Sequence, residues 1–111
     1  MKTFELENNA KASVNGEYIV GSEATGSHAC YMIYGILKAG ESGRLIRSGA
    51  GHEEIVFAAK GDITVSGYHS GLLREGTAFN ITGDNECFLE NKGISEAVYI
   101  ISGGHSGSSH H

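Results

Sequence analysis

The chain has 111 residues and a formal net charge of −5, which leaves room for one domain and carries the wrong sign for a nucleic-acid phosphate backbone. Hydrophobic residues at 40% and charged residues at 19% exclude a disordered chain. The 17 glycines, the absence of proline and the 8% aromatic content fit an all-β fold with many tight turns and argue against a helical bundle.

Residues 1–15 are polar and are expected to form an arm or an edge strand. The first strand is predicted at Glu17-Tyr18-Ile19-Val20, stopping at Gly21. The apolar run from Cys30 to Leu37 is β-branched, aromatic and flanked by glycines, so a strand is expected there too. Glu54–Ala59 and Ile63–Ser66 flank Lys60-Gly61-Asp62 and read as a β-hairpin. A second turn spans Gly67 to Gly71, and strands follow at 77–81, 86–90 and 97–101. Evenly spaced short strands without a convincing helix imply a sandwich or small barrel over residues 16–102. Residues 103–111 are rich in glycine, serine and histidine and read as a flexible tail, either native and metal-gathering or left over from an affinity tag.

No apolar run approaches the roughly 18–20 residues of a membrane span. The N-terminus lacks the apolar stretch and cleavage site of a secretory signal. With only Cys30 and Cys87 there is no disulfide framework, so a cytoplasmic protein with reduced thiols is expected.

Two stretches carry a resemblance. Gly40 is followed five residues later by Ile46-Arg47-Ser48, and Glu54 precedes Gly61 by a six-residue gap. Further on, Gly76, Thr82, Asp84, Cys87 and Asn91 keep a second set of gaps. In this pattern residues 30–102 resemble the cupin superfamily, small double-stranded β-helix (jelly-roll) barrels. The resemblance implies an antiparallel barrel and, for such small single-domain proteins, a homodimer with the first twenty residues near the interface. In metal-binding cupins, two histidines and a glutamate of the first motif and one histidine of the second hold an ion. Here those positions are Ile46, Ser48, Glu54 and Cys87, so only Glu54 remains as a suitable hard donor, and no iron or manganese site is expected.

Several chemistries remain open. Residues two apart on a strand share a face, so His52 and Glu54 would point the same way. A carboxyl among apolar neighbours is poised for general acid–base work, and Glu54 with His52 would support isomerase or lyase chemistry on a small polar or carboxylate-bearing molecule. Ile46, Arg47, Ser48 and Cys87 would line that pocket. Alternatively, the barrel is a non-enzymatic sensor or accessory binding module. In a third reading His52, Glu54 and Cys87, with His28 or Cys30 added, offer zinc, copper or nickel a mixed donor set, although no cofactor is the plainer expectation. The bland counterparts are a loop-exposed His52, a buried filler Cys87, a Glu54 held by Ser48 and a second hydroxyl, and an Arg44 paired with Glu53.

Overall fold

The computed structural model describes residues 1–105. Its nine strands are β1 (Glu17–Val20), β2 (Cys30–Leu37), β3 (Arg44–Ile46), β4 (His52–Lys60), β5 (Ile63–Gly67), β6 (Gly71–Leu73), β7 (Ala78–Thr82), β8 (Cys87–Glu90) and β9 (Ala97–His105). They form a five-stranded sheet, β1-β2-β9-β4-β7, facing a four-stranded sheet, β3-β8-β5-β6, with every pairing antiparallel. This is the all-β double-stranded β-helix expected. Inward residues alternate along each strand: Glu54, Val56 and Ala58 on β4, and Ala97, Tyr99 and Ile101 on β9, are all buried. They meet Ile46, Ile63, Val65, Cys87 and Leu89 of the smaller sheet in one core. The interior between the sheets is therefore filled by side chains.

Three expectations need correction. Residues 6–12 form a helix, α1 (Leu6–Ala12), rather than an arm or edge strand. Its sequence has no apolar stripe, and Ala10 alone is buried, against Ile36 and Val98 on the outer face of the larger sheet. Lys11 pairs with Glu7 one turn back, at 3.0 Å. A second short helix, α2 (Ser22–Thr25), joins β1 to β2, so both helices precede the barrel strands from residue 30 onward.

Next, β4 and β5 are not a hairpin. Each belongs to a different sheet, and the turn at Gly61 carries the chain across. Gly61 takes a φ of 77°, its N–H donates to the Glu75 carboxylate at 2.7 Å, and Asp62 accepts from the Glu75 N–H at 2.9 Å. A bulge between Ala58 and Lys60 shifts the register on β9, with Lys60 still paired to Val98.

Finally, Gly103 to His105 are strand, the last residues of β9, and not tail. Residues 106–111 lie outside the described residues. Among the described residues, no helix is long and apolar enough to cross a membrane.

Between β2 and β9 two aromatic rings each lie over a glycine of the neighbouring strand. Tyr31 pairs with Gly103, and Tyr99 pairs with Gly35. A Cβ on Gly103 would come within 2.2 Å of the Tyr31 ring, and one on Gly35 within 2.1 Å of the Tyr99 ring. The bare glycines let both rings lie flat on the sheet, which places the two phenol groups inside the barrel.

A histidine-lined cavity above a buried tyrosine–glutamate pair

The positions where the resemblance places a metal do not fit one. Ile46 is apolar and packed in the core. Ser48 donates from its hydroxyl towards the carbonyl oxygens of His52 and Gly83, at 3.2 and 3.1 Å, which ties the β3–β4 loop down. Cys87 is fully buried opposite Ile46, and its sulfur accepts from the His69 N–H at 3.3 Å. Among the described residues, no three histidine, cysteine, aspartate or glutamate side chains come together to hold an ion. The set His52, Glu54 and Cys87 is thus not assembled, because Cys87 has its place in the core of the smaller sheet.

Glu54 is 4% exposed, and its partner is Tyr31, whose O–H donates to Glu54 Oε2. The hydroxyl expected beside Glu54 is thus the Tyr31 phenol, while Ser48 is engaged by the His52 and Gly83 carbonyls instead. Burial raises the Glu54 pKa above the ordinary carboxylate value. The Tyr31 hydrogen bond pulls it down, the Glu17 charge pushes it up and nearby His52 lowers it, with the net shift upward. Burial, then the hydrogen bond to Glu54, pushes the Tyr31 phenol up, so it stays protonated.

A carboxyl whose pKa is higher folded than unfolded holds its proton more tightly in the folded state. Its contribution to stability is full below the unfolded value and is lost as pH rises through the raised one. Glu54→Gln removes that titration while keeping an acceptor for Tyr31. The stability of the parent relative to Glu54→Gln should therefore fall as pH rises from about 4 and level off above the raised value. Thermal unfolding of both proteins across pH checks this, and parallel curves would sink it.

Arg44 does not reach Glu53. It donates to Glu41 at 2.7 Å, to the Tyr99 hydroxyl at 2.7 Å and to the Ile36 carbonyl at 3.2 Å, while Tyr99 donates to Glu17. Burial, then the bond to Glu17, raises the Tyr99 pKa. This network ties the Arg44 guanidinium to Glu41 and Tyr99, at the wall of a separate cavity of about 480 Å³ between α1 and the end of β2. Arg47 is half exposed, pairs with Glu86 at 3.2 Å and does not line the histidine cavity.

A second open space lies beside the barrel interior, at the histidines. A cavity of about 480 Å³ is lined by His28, His52 and His105, with Tyr31, Ser22 and Ser27 among its other residues. Cys30 also contributes to its wall, and Glu23 adds one acidic group. β4 brings His52 to the rim, β9 brings His105, and the loop before β2 brings His28. Tyr31 forms the floor, with its ring centre 6.2 Å from that of His52 and its hydroxyl on Glu54 below. Sequence reasoning missed Tyr31, which reads as a core residue in an apolar run, and His105, which reads as part of a tail. The alternation Tyr31, Ile33, Gly35, Leu37 was the available signal for Tyr31.

No family model and no curated protein matches the sequence. Solved structures do. A cupin protein from Bacteroides fragilis superposes with a TM-score of 0.72 at 15% identity, covering 89% of this chain and 84% of that one. KdgF from a Halomonas species gives a TM-score of 0.65 at 14% identity, over 83% of this chain and 79% of that one. An oxalate oxidase gives 0.69 at 20% identity over 85% of this chain, which spans 53% of the oxidase. These likenesses show the fold: two facing antiparallel sheets forming a cupin-type double-stranded β-helix.

Proposed function

We propose that the chain is a binding module for a small polar molecule bearing a carboxylate, held in the cavity above Tyr31. The observation that carries this reading is the placement of space and chemistry. The barrel interior is packed, while three histidines, a tyrosine and two serine hydroxyls line an open volume of about 480 Å³, a size suited to a small ligand. Serine O–H groups donate to carboxylate oxygens, and so does the second ring nitrogen of a histidine once it carries a proton. A cytoplasmic setting, with Cys30 and Cys87 as free thiols, belongs to the same proposal.

Calorimetric titration of a panel of small mono- and dicarboxylates into protein kept metal-free with chelator tests it. Binding of at least one panel member is expected, weakened about tenfold or more by His52→Ala, the loss of one charge-assisted contact. No binding by any member, or binding untouched by His52→Ala and lost in Arg47→Ala, would overturn it.

The Tyr31–Glu54 contact favours a second reading, acid–base chemistry. Glu54 is 4% exposed, so a proton would reach it through the hydroxyl of Tyr31, a residue that lines the cavity, and Tyr31→Phe would abolish turnover.

We also propose a homodimer. Met32, Ile55 and Phe57 stay 37%, 51% and 37% exposed on the outer face of the larger sheet, apolar area that pairing would cover. Light scattering on the titration samples should report a dimer that Ile55→Glu dissociates, and a parent monomer at micromolar concentration would contradict it.

A further inference from the structure

At the rim of the cavity the residues paired across β4 and β9 are both histidines, His52 and His105. Cross-strand partners place their side chains together on one face, and here the ring centres are 5.0 Å apart with the planes tilted by 32°. Each ring has one nitrogen on a backbone carbonyl. His52 Nδ1 is 3.1 Å from the Ala50 oxygen, and His105 Nε2 is 2.9 Å from the His28 oxygen. A carbonyl oxygen only accepts, so those two nitrogens carry the hydrogens, and the lone pairs fall on His52 Nε2 and His105 Nδ1. A carbonyl gripping the far N–H is how metal-binding imidazoles are oriented. Two nitrogens each about 2.0–2.1 Å from a shared ion put their ring centres roughly 5 Å apart.

We propose that His52 Nε2 and His105 Nδ1 together bind one Cu²⁺ ion at the cavity rim, leaving its remaining positions open to water or a small anion. The donor set selects the metal. Two neutral imidazoles suit copper, zinc and nickel, and the order of affinities for such ligands puts Cu²⁺ first. A site with two protein ligands therefore holds Cu²⁺ more tightly than the other two, and gives calcium or magnesium no oxygen cage. The site uses neither Ile46 nor Ser48 nor Cys87, and so is separate from the position the fold resemblance implies. The ion needs no carboxylate in the cavity, so the metal alone is the probe.

The full chain carrying His110→Ala and His111→Ala, which removes the terminal imidazoles, is titrated with Cu²⁺ by calorimetry and electron paramagnetic resonance. One equivalent is expected, with nitrogen couplings from two imidazoles. His52→Ala and His105→Ala should each weaken binding by about tenfold or more and remove one coupling, and zinc should compete only at higher concentration. Should either alanine variant lose its native circular dichroism, His52→Asn and His105→Gln replace it. Loss of all copper binding with the terminal substitutions alone would overturn the proposal. Single-histidine variants that bind like their parent would overturn it equally. Carboxylate binding measured with chelator present is unaffected by either result, so the two proposals fail separately.

Discussion

Gly35→Ala should cost about 3 kcal/mol of stability, at the upper end of what overpacking a tight core costs. Gly35 is buried on β2, and an added Cβ would fall 2.1 Å from the Tyr99 ring. A flexible side chain could swing aside, but Tyr99 cannot. It is fully buried, its hydroxyl donates to Glu17, and it accepts from Arg44 at 2.7 Å. Moving the ring breaks both bonds, and leaves the Glu17 carboxylate and the Arg44 guanidinium short of a partner in a poorly solvated place. For a domain of this size the loss corresponds to a fall in Tm on the order of 10 °C. Gly21→Ala is the control, because its Cβ would meet nothing nearer than 3.5 Å. A Gly35→Ala protein that melts with Gly21→Ala would show that Tyr99 does not lie where it is described.

Asn91→Ala should cost a similar amount, about 3 kcal/mol, through unsatisfied backbone groups. Asn91 is 2% exposed. Its amide nitrogen donates to the carbonyls of Leu37, Lys38 and Ser95 at 3.1, 3.2 and 2.8 Å, and its amide oxygen accepts from the Gly93 N–H at 2.9 Å. One side chain thereby stitches the end of β2 to the β8–β9 connection. Alanine removes the side-chain partner of the Leu37 and Ser95 carbonyls and of the Gly93 N–H, while the Lys38 oxygen still accepts from the Glu41 N–H at 3.0 Å. Asn8→Ala, which removes one exposed bond to Glu5, should change little by comparison. Chemical denaturation of the three proteins checks the ranking, and equal midpoints for Asn91→Ala and Asn8→Ala would refute it.

The barrel was legible in the sequence because short alternating strands and glycine turns act locally. Most predicted strand positions coincide with observed strands, from β1 at Glu17–Val20 to β9, whose first residues are Ala97-Val98-Tyr99. What failed was non-local. Lys60-Gly61-Asp62 has the composition of a hairpin turn, but whether the next strand returns to the same sheet depends on partners far along the chain, here Glu75 and the strands β6 and β8. The helix α1 has too few apolar residues for any periodic signal and owes its place to one alanine against the sheet. At the site, Glu54 was visible from motif spacing, but its partner was not. Tyr31 lies 23 positions away on a strand whose apolar run hides which face each residue takes. His105 was hidden by composition, since a Gly-Gly-His stretch reads as a tail until its pairing with Cys30 to Tyr31 and His52 to Glu54 is seen.

On the proposed reading, a ligand binds in the histidine-lined cavity above Tyr31 and not in the packed interior of the barrel. Titrating a carboxylate that binds the metal-free protein, with side-chain and backbone resonances followed by nuclear magnetic resonance, tests it most directly. Shifts are expected to concentrate at His28, His52, His105 and Tyr31, with Ile46, Val65 and Cys87 unmoved. Shifts centred on Ile46 and Cys87, with the three histidines silent, would contradict it and return the site to the interior of the barrel.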